Sequence, residues 1–181
     1  METKEEKYIH EFIQVNVVNI FKNSNQIYVN TPYPIFKADA LDEYLNGKRK
    51  WICPINIKQK DEFETESYYT ISQNKIVVFM GETALMQMVH CMIHSLGAET
   101  HFNRFGSNMD SMGYYIENLI ADFASAIILS MHGVNKIVDK GVSLISYKII
   151  RDIIEDDDTY VRLVSEVDRN IREFFKLVYG L

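Results

Sequence analysis

Between Glu5 and Phe21, apolar side chains fall at Tyr8, Ile9, Phe12, Ile13, Val17, Ile20 and Phe21. Steps of three and four residues predict an amphipathic first helix, which "KNSNQ" then breaks. From Ile27 to about Lys60 the pattern shortens. The runs "IYVN" and "WICPINIKQ" are separated by Pro32, Pro34 and Gly47, and they read as short strands and turns. In "SYYTISQNKIVVFM" two β-rich runs, Tyr68 to Ile71 and Lys75 to Phe79, are joined through Ser72-Gln73-Asn74, the outline of a hairpin.

After Gly81 the apolar spacing becomes helical and stays so. A helix is expected over about 82–96, closed by Gly97 as C-cap residue, followed by the loop "ETHFNRFGSNMDS". Further helices are expected over 111–131, ended by Gly133, over 141–154, and over 159–179. Asp156, Asp157 and Asp158 precede the last one, where carboxylates suit the N-terminal dipole and can cap it. No repeat or linker interrupts the chain. The expectation is an α+β fold in a single domain over 1–181, a small N-terminal sheet packed on a mainly helical C-terminal half.

A chain of 181 residues with 47% hydrophobic residues can build one core. A net charge of −6 speaks against direct nucleic-acid binding, which needs clustered Lys and Arg; Lys48-Arg49-Lys50 is only a local patch. Two cysteines, Cys53 and Cys91, give no disulfide framework and point to a reducing compartment. The charged start "METKEEKYIHEF" lacks the apolar segment of a signal peptide, and no apolar run reaches membrane-spanning length. A cytoplasmic protein away from membranes is the resulting expectation.

Candidate chemistry centres on "MVHCMIHS", which sets His90 and His94 one helical turn apart. Imidazoles at i and i+4 share a face and can reach one Zn²⁺. His101 follows in the next loop. A hydrolytic zinc helix carries a glutamate after its first histidine, as the base that takes a proton from zinc-bound water. Here that residue is Cys91, too short and too weakly acidic to replace a carboxylate; it reads as a small buried apolar group. A third ligand would have to come from the next helix, "YYIENLIADFASAIIL". This helix is apolar almost all round, so its polar residues need partners. Asn118 and Asp122 share a face, with Glu117 about 100° away. Asp122 could ligate or orient a histidine from behind; alternatively Asp122 and Asn118 satisfy neighbouring N–H groups in a metal-free core.

The order of these motifs resembles the zincin-like metallopeptidase domain of ArdC-type antirestriction proteins. That family has a hairpin, a helix of the form H-E-L-x-H-x-T-G, a loop with L-N-R, a glutamate-bearing helix and two closing helices. Here the hairpin is Tyr69 to Met80, the helix carries His90, His94 and Gly97, and the loop keeps Asn103-Arg104. The resemblance covers residues 67–181 and leaves 1–66 divergent. It implies a small sheet against a metal-binding helix, with a second ligand-bearing helix behind. It also implies losses: the family's catalytic glutamate falls on Cys91, its paired glutamates on Glu117 and Asn118, and its later glutamate on Asp122.

The resemblance implies a degenerate zincin-fold protein of a phage or mobile element. Its metal candidates are His90, His94, Asp122, Asn118 and Glu117, and the resemblance leaves open both a bound zinc and an empty site. It would act against host defence by binding a protein partner. The acidic run Glu155 to Asp158 suits a basic partner, though it also reads as a solvated helix start. The alternative is an active zinc hydrolase in which Glu117, Glu99 or Asp122 serves as base; a third reading is a structural interaction protein. If zinc is held, Cys91→Glu is expected to restore water activation.

Overall fold

The computed structural model describes Lys7 and residues 26–27, 36–59, 66–105, 111–134, 138–139 and 157–181. Its main sheet joins β2 (Ile55–Lys58), β3 (Tyr68–Thr70) and β4 (Lys75–Phe79) in the order β2-β4-β3. Strand β4 is central, and Ile76, Val77, Val78 and Phe79 are all buried, because a strand covered on both faces needs no polar alternation. The expected hairpin forms with Tyr69 opposite Ile76 and Thr70 opposite Lys75. A 3-10 turn at Ile71–Gln73 connects it, and Asn74 follows in the left-handed region at φ 43°. The Tyr69 hydroxyl donates to Asn74 Oδ1 at 2.7 Å and fixes that turn.

Strand β2 runs parallel to β4, with Ile55 opposite Ile76. A second, two-residue pair joins β1 (Gln26–Ile27) to β5 (Val138–Asp139) in antiparallel register; β5 was not expected from the sequence. Where the sequence suggested only strands and turns between Ile27 and Lys60, a helix α1 (Asp39–Leu45) forms. Leu41 and Tyr44 are spaced three apart and buried together, so one face of this short helix has a core to pack on. Gly47, at φ 66°, turns the chain after it.

Three longer helices follow the hairpin: α2 (Ala84–Leu96), α3 (Ser111–Met131) and α4 (Asp157–Tyr179). Their bounds match the expected ones closely. Helix α3 is the innermost of the three, with every residue from Ile120 to Met131 except Asp122 buried, including Ala121, Phe123, Ile127 and Leu129. Helix α4 contributes Leu163, Val167, Ile171, Phe174, Phe175 and Val178 to the same core. The helices expected over 5–21 and 141–154, and the side chains of 155–157, lie outside the described residues.

Gly97 caps α2 as expected, but for another reason. Its φ of −75° is open to any residue. A Cβ there would stand 2.9 Å from two ring carbons of Phe105 and 3.0 Å from Arg104 Nη2. The glycine is therefore needed for close approach of the following loop to the helix end, which places Arg104.

Candidate functional site

Helix α2 packs on α3, and two contacts step along them: His90 Nδ1 lies 3.0 Å from Asp122 Oδ1, and His94 Nδ1 lies 3.1 Å from Glu117 Oε1. The higher-numbered histidine meets the lower-numbered carboxylate, so the two helices run antiparallel. The imidazoles turn their other nitrogens toward each other, and the two Nε2 atoms are 2.9 Å apart. The rings meet nearly edge to face, at 78°. The result is one continuous line: Asp122, His90, His94, Glu117.

Arg104 closes the line at its Glu117 end. Its Nε donates to Glu117 Oε2 and its Nη2 to Oε1, both at 2.7 Å, a two-pronged charge-assisted contact. The same guanidinium donates from Nη1 to Asn170 Oδ1 at 3.0 Å and from Nη2 to the Ile93 carbonyl at 3.1 Å. Asn170 is in turn oriented by donating to the Glu166 carbonyl at 2.7 Å. The Glu117 and Arg104 side chains are only 6% and 9% exposed, so solvent screens the pair little. Burial by itself would raise the Glu117 carboxyl, but hydrogen bonds from Arg104 and His94 outweigh it and hold Glu117 below the usual carboxylate range.

Of the residues singled out in the sequence, the fold brings His90, His94, Asp122 and Glu117 together and sets the others apart. Asn118 Nδ2 donates to the Tyr114 carbonyl of its own helix at 3.0 Å. His101 pairs instead with Glu173 of α4, at 3.3 Å. Glu99 is exposed. Cys91 is 1% exposed within the apolar core, and neither cysteine forms a disulfide. Burial also pushes the Cys53 thiol up, away from the reactive thiolate. Arg104 and Asn170 were not singled out as partners in the sequence. The signal for a cation was present nonetheless: a glutamate in an almost wholly apolar helix needs one.

The arrangement can be tested against a zinc centre. Bonds of about 2.0–2.1 Å to a tetrahedral Zn²⁺ would hold two nitrogens about 3.3 Å apart, so the Nε2 atoms stand in direct contact rather than at ion spacing. Both carboxylates sit on the Nδ1 side of the imidazoles, where they orient rather than ligate. Among the described residues, no group of three His, Cys, Asp or Glu is disposed to hold a metal ion. As arranged, the donors do not fit a three-ligand zinc site. They do fit a hydrogen-bonded line, in which three short polar contacts run along two imidazoles between two carboxylates.

A cavity of about 430 Å³ lies on the far side of Glu117, lined by Phe102, Arg104, Ile116, Arg162 and Glu166 among others. Neither His90 nor His94 lines it. Among the described residues, no helix is long and apolar enough to cross a membrane.

The fold is that of an ArdC-like α+β protein. Its likeness is to solved structures of the antirestriction protein ArdC from plasmid R388. The Mn(II)-bound crystal structure matches with a TM-score of 0.61 and 16% identity, covering 84% of this chain and 57% of that one. The metal-free crystal structure matches with a TM-score of 0.58 and 15% identity, covering 84% and 55%. The chain thus spans somewhat more than half the length of that protein. No family model matches the sequence, and no curated protein does.

Proposed function

We propose that this chain is an antirestriction protein of a phage or mobile element that keeps a zincin-like scaffold but works without hydrolysis, by binding a protein of the host defence system in the cytoplasm. The observation that carries the reading is the closed line from Asp122 to Arg104. Each carboxylate beside the histidines already holds a partner, and the position after His90 is a buried thiol. Without a carboxylate to accept the proton of a bound water, general-base assistance worth about 10²–10⁴-fold is missing. The antirestriction role rests on likeness to a plasmid-borne ArdC, whose name gives that activity. The net charge of −6 favours a basic partner over nucleic acid itself.

The converging imidazoles support a second reading, a metal-dependent hydrolase with a displaced base. Of its three candidate bases, Glu117 is held by Arg104, Asp122 faces His90, and Glu99 lies exposed. This reading is the weaker one.

The test is transfer of unmodified phage or plasmid DNA into a restricting host that expresses the protein. Wild type and His90→Gln, checked for folding by circular dichroism, are expected to raise transfer equally. Protection that disappears in His90→Gln, together with metal-dependent cleavage of a host protein, would favour the hydrolase. Absence of any protection would remove the antirestriction role.

A further inference from the structure

The cavity of about 430 Å³ lies among the N-terminal halves of α3 and α4 and the loop that carries Phe102. Small-molecule sites range over about 300–1,000 Å³, so its size suits a ligand of that kind. Neither His90 nor His94 lines it, and it is independent of the antirestriction reading. In its wall, Arg104 and Glu117 already engage each other. Two further charged residues do not. Glu166 Oε2 is buried without a hydrogen-bond partner, and Oε1 meets Arg169 Nη1 only at 3.5 Å, at the limit of a hydrogen bond. Arg162 is exposed, and its guanidinium pairs with no described residue. These two stand one helical turn apart on α4, where opposite charges ordinarily pair. Here both line the cavity without pairing. A buried acceptor that lacks a donor is costly, so this carboxylate is a group that a ligand would complete. Rotation about its last side-chain bond is soft, which lets either oxygen turn to the cavity.

We propose that this cavity binds a small zwitterion with an apolar body, the chemistry of a free α-amino acid, with its ammonium on Glu166 and its carboxylate on Arg162. An α-amino acid carries both charges on one carbon, so it can bridge two long side chains set one helical turn apart. Phe102, Ile116, Ile120 and Leu163 supply an apolar wall for its side chain. A ligand with a single charge fits worse. A plain carboxylate would satisfy Arg162 but face Glu166, and a plain amine would satisfy Glu166 but face Arg162. An uncharged apolar molecule would leave Glu166 Oε2 without its donor.

The experiment is calorimetric titration of the full chain with L-phenylalanine and L-leucine. Two blocked probes run beside them: N-acetyl-L-phenylalanine, which lacks the ammonium, and L-phenylalaninamide, which lacks the carboxylate. At least one of the two amino acids is expected to bind saturably, one per chain. Each blocked probe is expected to bind at least about tenfold more weakly than L-phenylalanine, since it gives up a charge-assisted contact. Glu166→Gln keeps the shape of the side chain, and Arg162→Met changes an exposed one, so both variants should fold. Each is expected to weaken amino-acid binding by about tenfold or more. No uptake of either amino acid would overturn the proposal, as would binding that survives both substitutions. Phenylalaninamide binding as tightly as L-phenylalanine would show a site for cations alone, and equal binding of the acetylated probe a site for anions alone; either result would also overturn it.

Discussion

Arg104 holds both carboxylate oxygens of Glu117, each at 2.7 Å, in a site that solvent barely reaches. Removing one partner of such a pair strands the other, which costs about 3–5 kcal/mol. Glu117→Ala is expected to lose that much in chemical denaturation. The pH dependence has a definite sign. Glu117 is held below its ordinary value in the folded state, so its contribution is present above the unfolded carboxyl pKa of about 4.3 and is lost as pH falls through the folded value. Acid unfolding curves should therefore be shallower for Glu117→Gln than for wild type.

A second pH effect comes from His132, which is 3% exposed beneath Phe36 and Phe175. Its Nδ1–H donates to the Ile128 carbonyl at 2.7 Å, and Nε2 accepts from the Tyr179 hydroxyl at 2.7 Å. Burial holds His132 below the ordinary imidazole value. The unfolded chain then takes up a proton first, so stability should begin to fall below about pH 6.5. His132→Gln should remove that slope. On the alkaline side, burial pushes Tyr179 and Tyr69 up to about 12. Their contribution is complete below about pH 10 and lost as pH rises toward 12. Ultraviolet titration of tyrosinate should show Tyr69 and Tyr179 among the late-ionising groups, and Tyr179→Phe should remove one such group.

Trp51 is the one tryptophan of the chain, and its Nε1–H donates to Ser95 Oγ at 2.7 Å inside the core. The Ser95 hydroxyl in turn donates to the Met92 carbonyl at 2.7 Å. Ser95→Ala would leave the indole N–H buried without an acceptor, at about 1–3 kcal/mol. The expected outcome is a lower urea midpoint, read from the intrinsic fluorescence of the same indole, with native emission unshifted.

Gly97→Ala sets a methyl group into the Phe105 ring and the Arg104 guanidinium. Overpacking of this kind costs about 1–3 kcal/mol. Because the strain falls on Arg104, the double variant Gly97→Ala, Arg104→Met should lose less than the sum of the two single losses, measured by denaturant titration.

The three long helices and the hairpin were legible because each has a single strong period. In α3 the apolar run is so complete that burial was certain, and Gly133 marks its end at φ 75°. Helix α1 was missed because only Leu41 and Tyr44 carry its buried face, too few to show a period against the prolines and glycine around it. Strand order was out of reach as well. Nothing local in "PINIK" says that it lies parallel to Lys75–Phe79 rather than beside the hairpin's other edge. Within the site, spacing was enough to put His90 and His94 on one face of the helix. It was not enough to choose between Asn118 and Glu117, since that depends on how α3 is rotated against α2. The rotation that was adopted faces Glu117 inward, where Arg104 can reach it from a loop. For Cys91 the burial matters most: a glutamate substituted there would begin inside the core, so Cys91→Glu is expected to lower stability before it alters any chemistry.

The pairing of Gln26 with Asp139 and the hydrogen bond from the Phe36 amide to the Met131 carbonyl bind an early stretch of the chain to the end of its central helix. Contacts so distant in sequence are slow to find each other, because the loop between them must first be closed against entropy. During synthesis the hairpin and α2 can consolidate as they emerge, whereas these clasps must wait for the far side of α3. A ribosome-bound fragment ending before residue 131 would leave Phe36 without its aromatic stack on Phe175 and Tyr179, exposing a sticky ring until helix α4 has been made.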